Sequence, residues 1–260
     1  MSSVEQLPDM RLVKDQVAMI TGASRERGIG LAVAKLFAQH GAKVVILDLD
    51  EKDARAAAAG LGEDHMGVGC DVSQAESCKR AVDAVIERYG AVDVLVNNAG
   101  VTQRRGVMDV TPEDYDLVTN VVLRGTLLIS QAVIPHMKAR GRGNIICVSS
   151  LSALQGGGVF GGSHYCAAKS GVLGLARAMA RELGPENIRV NAIAPGLILT
   201  DFSRGANPDS AKHEMAKNFP LRRVGAPADI AGACLYLASD LSAFVTGITL
   251  DVNGGAFIRP

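Results

Sequence analysis

Tyr165 and Lys169 stand four residues apart in a segment with helical periodicity. Residues at that spacing share one helix face, so the phenol and the ammonium lie on the same side. A free phenol has a pKa of about 10, and nearby positive charge lowers that value by favouring the tyrosinate. The pair predicts a group that takes a proton from an alcohol, or returns one to a developing alkoxide. Taken alone, the same spacing is also expected of an ordinary surface pair.

A glycine-rich turn near the start of the chain reads Thr21-Gly22-Ala23-Ser24-Arg25-Glu26-Arg27-Gly28-Ile29-Gly30. It joins an apolar β-branched run to a segment of helical periodicity. Glycines permit a tight turn there, and the free N–H groups at a helix start favour a pyrophosphate. Three glycines can also do no more than form a turn, because such motifs are common. Their place after an N-terminal strand favours the phosphate-binding interpretation.

Asp48 ends the second strand-like run, about twenty residues after the glycine turn. A carboxylate there accepts hydrogen bonds from ribose hydroxyls and repels a 2′-phosphate, which favours NAD over NADP. Arg25 and Arg27 leave NADP open, because an arginine near the ribose pairs with that phosphate. The acidic residues from Asp48 onward could instead form a solvated loop.

Apolar β-branched runs alternate with longer helical patterns from Gln16 onward, which is typical of a parallel sheet flanked by helices. The predicted strands are Val17–Thr21, Lys43–Leu47, Met66–Cys70, Val92–Val96, Asn144–Val148, Arg189–Ile193 and Ile248–Val252. The predicted helices are Ile29–His40, Glu76–Tyr89, Leu123–Lys138, Ala167–Leu183 and Ala228–Ala238. The sequence thus predicts an α/β fold with a doubly wound sheet of about seven parallel strands. We expect a tail at 1–15, a single domain at 16–260 and an irregular substrate loop at about 196–225.

Charge and cysteine content exclude several classes of partner. Lys plus Arg and Asp plus Glu number 27 each, so no positive field favours nucleic acid or a membrane surface. The longest apolar runs are strand-sized and the polar start has no signal-peptide stretch, so we expect a cytoplasmic protein. The cysteines, at Cys70, Cys78, Cys147, Cys166 and Cys234, lack paired metal-ligand spacing, which favours buried thiols over a zinc site.

Several motifs together resemble the short-chain dehydrogenase/reductase family, in family order over nearly the whole chain. They are the Thr21 turn, Asn97-Asn98-Ala99-Gly100, Tyr165-Cys166-Ala167-Ala168-Lys169, Pro195-Gly196 and Val252-Asn253-Gly254-Gly255. The resemblance implies a Rossmann-type fold of seven parallel strands, usually assembled as a homotetramer. It implies an NAD(P)-dependent oxidoreductase that interconverts a secondary alcohol and a ketone.

The resemblance also implies the roles of individual residues. Tyr165 would transfer the proton, Ser150 would hydrogen-bond the substrate oxygen, and Asn120 would hold a water leading to Lys169. Lys169 would also bind the nicotinamide ribose, and an oxidised nicotinamide would add to the positive charge beside the phenol. The implied cofactor contacts are Gly22, Ser24, Arg25, Gly28, Ile29, Gly30, Asp48, Leu49, Asp71, Val72, Asn98, Ala99, Gly100, Val121, Tyr165, Lys169, Pro195, Gly196, Ile198 and Thr200. Among these, Asp71 and Val72 would meet the adenine, and Ile198 and Thr200 the carboxamide.

The chain departs from the family pattern in two places. Five residues separate Gly22 from Gly28, so the turn is two residues longer than usual. The serine and tyrosine are also two residues further apart than usual if the serine is Ser150, whereas Ser152 fits the usual count. Ser150 is favoured because it directly follows the strand pattern, and Ser152 stays as the alternative.

The substrate is not encoded in any recognisable motif. The predicted substrate surface comprises Gln103, Arg104, Arg105, Gln155, His164 and the segment Leu197–Phe219. Arg104, Arg105 and Arg204 could receive a carboxylate, phosphate or sulfonate, although loop arginines are usually solvated. For His164, packing or solvent exposure is favoured over substrate contact.

Three functions compete. One is NAD-linked oxidation of a polyol, sugar or hydroxy acid, which Asp48 favours. Another is reduction of a 3-oxoacyl thioester. The third is a non-catalytic, nicotinamide-sensing regulator, which the joint presence of Asn120, Ser150, Tyr165 and Lys169 disfavours.

Overall fold

Seven strands form one parallel sheet in the computed structural model, which describes residues 11–157, 161–202 and 208–259. The strands are β1 (Val17–Thr21), β2 (Lys43–Asp48), β3 (Met66–Gly69), β4 (Val94–Asn97), β5 (Gly143–Val148), β6 (Ile188–Pro195) and β7 (Thr249–Val252). Their order is β3-β2-β1-β4-β5-β6-β7, so the direction of strand addition reverses between β1 and β4. The predicted doubly wound parallel sheet is confirmed. Ligands of such sheets bind at the carboxyl ends of the strands, beside that reversal.

Helices cover both faces of the sheet because successive strand residues point to opposite sides. In β1, Met19 enters one core and Ile20 enters the other. One core is covered by α3 (Ala75–Tyr89), α5 (Gly125–Arg140) and α7 (Ser163–Leu183), the other by α1 (Ile29–Gln39), α2 (Glu51–Ala59) and α9 (Pro227–Ala238). Shorter helices are α4 (Pro112–Thr119), α6 (Ser152–Gln155) and α8 (Asp209–Ala216).

The longest helical stretch runs over residues 112–140, where a π-helical turn at Asn120–Arg124 joins α4 to α5. By length and composition alone this stretch could cross a membrane. Its buried side chains, including Val118, Ile129 and Met137, belong to the core beneath the sheet. We therefore regard it as a packing element of the fold.

The helix that contains Tyr165 begins earlier than its periodicity predicts. The predicted helix Ala167–Leu183 starts at Ser163, so Tyr165 lies in the first turn of α7. Gly162 precedes that turn in an extended conformation. The glycines before Ser163 hid the start, because a glycine run is typical of a loop. Smaller differences of one or two residues occur at the ends of every strand except β1, where boundaries are least defined.

Two stretches expected to be irregular contain helices. The acidic residues after Asp48 do not form a solvated loop, because Asp50 caps α2 by accepting the N–H groups of Lys52 and Asp53. The predicted substrate loop at 196–225 contains α8 in its described part. Of the predicted tail, residues 1–10 lie outside the described residues, and Val13 is buried against the core that contains α1.

Candidate active site

Two glycines of the phosphate-binding turn have no room for a side chain. Gly22 has a φ of +62°, and a Cβ there would lie 2.8 Å from Ala99 Cα. A Cβ on Gly30 would lie 2.7 Å from Ala23 Cα and 2.7 Å from Asn98 Nδ2. The turn therefore packs directly against the segment that follows β4. Only glycine allows this approach.

The two extra residues of the turn are closed by a hydrogen bond from the Gly28 N–H to the Arg25 carbonyl, at 2.9 Å. Gly28 then starts α1 without a side-chain cap, so the first N–H groups of Ile29 and Gly30 are left for an anion. This arrangement fits a pyrophosphate. Arg27 pairs with Asp209 and Asp201, and Arg25 is exposed.

Asp48 is held in place at the carboxyl end of β2. Its Oδ2 accepts hydrogen bonds from the Ser24 N–H at 3.0 Å and the Ser24 hydroxyl at 2.7 Å. Its Oδ1 accepts the Leu49 N–H at 2.8 Å. A cleft of about 610 Å³ opens here and is lined by Ser24, Arg25, Glu26, Asp48, Leu49, Asp50, Asp53 and Asp201. The excess of carboxylates gives this cleft a negative potential.

Further predicted cofactor contacts lie in the segments after β3 and β4. Asp71 Oδ1 accepts hydrogen bonds from Ser73, which shapes the loop after β3, and Val72 is buried against α5. Asn98 Nδ2 donates to the carbonyls of Thr21 and Gly22, each at 2.9 Å. Its amide group thus ties β4 to the glycine turn. Ala99 and Val121 are partly buried and pack against the core that α3, α5 and α7 cover.

Lys169 is buried beside Tyr165. Its Nζ donates to the Val148 carbonyl at 2.6 Å and lies 5.9 Å from the centre of the Tyr165 ring. A Cβ on Gly100 would lie 3.7 Å from this Nζ, so the bare backbone of Gly100 forms the facing wall. Burial lowers the pKa of Lys169 to about 8. The predicted proximity of the ammonium and the phenol is present.

Burial raises the pKa of the Tyr165 phenol to about 12, against the opposing effect of a hydrogen bond with Ser150. This differs from the expectation that Lys169 would lower the pKa of Tyr165. Desolvation disfavours the tyrosinate and outweighs the ammonium, which is engaged by a backbone carbonyl. In this state the phenol is a proton donor at neutral pH.

The structure separates the two candidate serines. The Ser150 hydroxyl interacts with Tyr165 and also accepts the Ser152 N–H at 3.1 Å. Ser152 is the first residue of α6. The third serine of this strand end, Ser149, is buried and donates to the Lys169 carbonyl at 2.8 Å. Ser150 is thus the serine beside the phenol.

Asn120 opens the π-helical turn between α4 and α5. π-turns inside α-helices are rare and occur often at functional sites. The Gly125 N–H donates to the Asn120 carbonyl across this turn. Packing between the turn and α7 brings Asn120 to the same side of the sheet as Lys169.

The segment after β6 contains the remaining predicted cofactor contacts. Gly196 donates its N–H to the Val252 carbonyl at 3.0 Å, and a Cβ there would lie 2.7 Å from Asn253 Cα. Ile198 and Thr200 are buried. The Thr200 carbonyl accepts a hydrogen bond from Lys212 Nζ at 3.0 Å, so a buried lysine of α8 holds this segment. Pro195 is the last residue of β6 and directly precedes Gly196.

On the predicted substrate surface, His164 is packed inside the protein, in line with the interpretation that the sequence favours. His164 is buried with its Nε2 3.2 Å from Gln103 Oε1, so these two side chains engage each other rather than facing a substrate. Arg105 pairs with Asp114 at 3.3 Å, Gln155 and Arg104 are exposed, and Arg204 lies outside the described residues.

Phe202 lies within the predicted substrate segment Leu197–Phe219 but was not singled out there, and the ion pairs of α8 were not predicted. The Phe202 ring lies 6.2 Å from the Tyr165 ring, centre to centre, and is partly exposed. Its ring therefore lies close to the Tyr165 ring. An aromatic residue in an irregular stretch carries no periodic signal, so nothing in the pattern marked it. The described residues contain no cluster of three or more His, Cys, Asp or Glu side chains suited to a metal ion.

Comparisons with known proteins agree with this geometry. A family model described as Enoyl-(Acyl carrier protein) reductase matches residues 22–256. An uncharacterized short-chain type dehydrogenase/reductase of Sinorhizobium fredii is 48% identical over 95% of this chain and 100% of its own length. An L-rhamnose 1-dehydrogenase (NAD(P)(+)) of Azotobacter vinelandii is 41% identical, over 95% of this chain and 99% of its own length. A 3-oxoacyl-(acyl-carrier-protein) reductase of Chlamydia muridarum is 41% identical, over 94% and 98%.

The crystal structure of gox2181 superposes with a TM-score of 0.89 at 33% identity, covering 95% of this chain and 97% of that one. The protein is an oxidoreductase that acts on CH–OH donors of small molecules with NAD(P). The chain belongs to the short-chain dehydrogenase/reductase family.

Proposed function

We propose that this enzyme oxidises the secondary alcohol of a polyol, sugar or hydroxy acid with NAD. The observation that carries the cofactor choice is the Asp48 carboxylate, which Ser24 holds at the end of β2. Glu26, Asp50 and Asp53 line the same cleft. A 2′-phosphate would meet their negative charge, whereas ribose hydroxyls would donate to Asp48. NAD favours the oxidative direction, because biosynthetic reductions usually draw on NADPH.

The glycine turn, Asp48 and the open wall at Gly100 fit a dinucleotide, which supplies the hydride acceptor when bound. Ser150 holds the alcohol oxygen, and Tyr165 takes its proton as the C–H bond breaks and the carbonyl forms. Lys169 stabilises the developing tyrosinate by its charge. Asn120 holds the water through which the proton leaves by way of Lys169.

Reduction of a 3-oxoacyl thioester is the second candidate. The observation that favours it is the name of relatives such as the Chlamydia muridarum reductase. The exposed Arg25 at the glycine turn is a partner for a 2′-phosphate if the cofactor is NADPH. A non-catalytic regulator, the third candidate, is disfavoured because Ser150, Tyr165 and Lys169 are in mutual reach.

A substrate panel distinguishes these candidates. Initial rates would be measured with polyols, sugars, hydroxy acids, hydroxysteroids and 3-hydroxyacyl thioesters, each with NAD and with NADP. We expect turnover of one polyol, sugar or hydroxy-acid class with NAD. Turnover confined to the thioesters with NADP would establish the second candidate, and tight NADH binding without turnover of any class would favour the regulator.

Replacement of the proposed base tests the chemistry directly. We expect Tyr165→Phe to lower kcat by about 10²–10⁴-fold, because general acid–base catalysis contributes a factor of that order. NADH binding, measured by fluorescence titration, should stay within about twofold of the wild type, since the phenol acts on the alcohol proton. Tyr89→Phe is a matched control, because Tyr89 donates to the Asp64 carbonyl away from the site. Near-normal turnover by Tyr165→Phe would exclude this residue as the base.

We further propose a homotetramer built through two exposed apolar surfaces. One lies around α9 and β7 and contains Leu241, Phe244, Ile248 and Ile258. The other lies along the helical stretch 112–140 and contains Tyr115, Leu117 and Leu127. Two separate self-complementary surfaces are what a tetramer with paired two-fold axes requires.

A further inference from the structure

A buried histidine directly precedes the proposed base. His164 is 2% exposed, and its Nε2 lies 3.2 Å from Gln103 Oε1. The other end of the same amide, Gln103 Nε2, donates to Asp114 Oδ1 at 2.8 Å. A carboxylate accepts only, so the amide nitrogen faces Asp114 and the amide oxygen faces the ring. His164 Nε2 must therefore carry a hydrogen and donate it.

The orientation of the amide determines the state of the whole ring. With Nε2 protonated in the neutral ring, Nδ1 carries a lone pair. Nδ1 is buried and has no hydrogen-bond partner among the described residues. Burial lowers the pKa of His164, with Asp114 raising it and Arg105 lowering it to a smaller extent. A second proton would place a charged N–H where the described chain offers no acceptor, so the ring is held neutral.

The chain of hydrogen bonds joins three parts of the fold. His164 lies in the first turn of α7, Gln103 in the segment after β4, and Asp114 in the first turn of α4. Asp114 is itself fixed, because it forms a capping box with Thr111. A second bond, from the Gly162 N–H to the Gln103 carbonyl at 3.1 Å, runs beside the first. The start of the catalytic helix is thus tied to the segment 101–106.

The start of α7 and the segment 101–106 are packed too closely to admit additional side-chain atoms. A Cβ on Gly162 would lie 2.8 Å from the His164 ring and 2.9 Å from the Arg105 carbonyl. A Cβ on Gly161 would lie 2.5 Å from the Tyr165 ring. The imidazole therefore fills the space between the helix start and the segment 101–106, while Tyr165 packs against the backbone just before it.

We propose that His164 is a positioning residue, which as the neutral Nε2–H tautomer sets the spacing between Tyr165 and the substrate-facing segment 101–106. It acts through Gln103 and Asp114 and touches neither alcohol nor cofactor. The inference rests on the proposed function, in which Tyr165 is the base. Loss of the hydrogen bond displaces the substrate relative to the phenol, which lowers kcat and leaves the nucleotide side of the cleft intact.

Matched variants test this role. His164→Phe keeps the ring volume and removes the donor, whereas His164→Gln restores an amide donor toward Gln103. We expect His164→Phe to lower kcat for the best alcohol about tenfold or more, a size typical of misplaced reacting groups. His164→Gln should recover most of that loss, and NADH affinity should stay within about twofold in both. Gln103→Met should resemble His164→Phe, and the double variant should be no worse than either single one.

A readout without turnover separates this proposal from the assignment of the base. We expect ¹⁵N-histidine NMR of the wild type and of Tyr165→Phe to show one buried histidine with a protonated Nε2 and an unprotonated Nδ1. The signals of this histidine should be absent from the spectrum of His164→Phe, which assigns them to His164. An Nδ1–H tautomer, an imidazolium at neutral pH, or wild-type kcat in His164→Phe would overturn the proposal. If His164→Phe does not fold, Gln103→Met and His164→Gln give the same comparison. If Tyr165→Phe turned over normally and still gave the expected spectrum, Tyr165 would be excluded as the base, but the tautomer assigned to His164 would be confirmed.

Discussion

Burial pushes both members of the Tyr165–Lys169 pair toward their uncharged forms, with pKa values of about 12 and about 8. The phenol is ready to donate a proton, as reduction requires. Accepting one from an alcohol requires more positive charge in the cleft than Lys169 supplies. An oxidised nicotinamide carries such a charge, which makes the active base a property of the complex.

The pH dependence of the two directions should therefore be opposite. We expect the kcat/KM of alcohol oxidation to rise from neutral to alkaline pH as the tyrosinate fraction grows, and that of ketone reduction to fall. The check is a pair of pH–rate profiles at fixed ionic strength. An oxidation rate that declined over this range, with the protein still folded by circular dichroism, would contradict the assignment.

Cofactor choice should depend on one carboxylate. We expect Asp48→Ala to reduce the preference for NAD over NADP by about tenfold or more, because charge-assisted hydrogen bonds contribute about 1.5–3 kcal/mol. The ratio of kcat/KM values for the two cofactors measures it. Asp53→Ala removes a neighbouring carboxylate of the same cleft and should change the ratio less. If Asp48→Ala left this ratio unchanged, Asp48 would not determine the choice between NAD and NADP, and Arg25 would be the next candidate.

Residue positions that depend on local spacing could be predicted from the sequence. Tyr165 and Lys169 share a helix face, and Asp48 follows a strand. The partners of His164 and Arg27 could not be predicted, because Gln103 and Asp209 come from distant segments that only the fold brings together. Desolvation of Tyr165 was also missed, since burial of a polar tip is a property of the packed site.

At the scale of elements, the longer glycine turn is tied to the substrate side of the cleft. Arg27 pairs with Asp209 at 2.7 Å and with Asp201 at 3.3 Å, which lie on either side of the segment 203–207. Asp209 also pairs with the buried Lys212, which holds the Thr200 carbonyl. The glycine turn is thus linked through α8 to the segment after β6.

Removal of the arginine should loosen that link. We expect Arg27→Gln to raise the KM of the alcohol by up to about fivefold at low salt, because exposed ion pairs contribute about 0.2–1 kcal/mol each. The difference should shrink at high salt, where surface charges are screened. Lys35→Gln is the matched control, since it breaks the Lys35–Glu26 pair on the same turn without reaching α8. Equal KM values for both variants would show that the link has no effect on substrate binding.

Strands and long helices followed the apolar periodicity closely, because their burial on both sheet faces leaves a strong pattern. The short helices α4 and α8 were missed. Each has few buried residues, and α4 depends on a capping box at Thr111 rather than on an apolar stripe. The early start of α7 was hidden by glycines whose role is close packing against His164 and Tyr165.

At the scale of the whole molecule, assembly should depend on the surface around β7. Phe244 is fully exposed, with Leu241 and Ile258 exposed as well, although large apolar side chains are normally covered. We expect a tetrameric mass for the wild type by light scattering, and a smaller species for Phe244→Glu because a carboxylate would be buried at the contact. A monomeric wild type would refute the tetramer.

Because four of the five cysteines are buried, labelling of their thiols reports when the folded protein opens. Cys70, Cys78, Cys147 and Cys234 are buried, and burial raises the pKa of Cys147 and of Cys234 to about 12. An alkylating reagent attacks the thiolate, so these four report only excursions that expose the interior. Cys166 is partly buried and adjoins Tyr165, so its modification follows local access to the active site. A single labelling time course therefore distinguishes local opening at α7, reported by Cys166, from unfolding of the domain, reported by the buried cysteines.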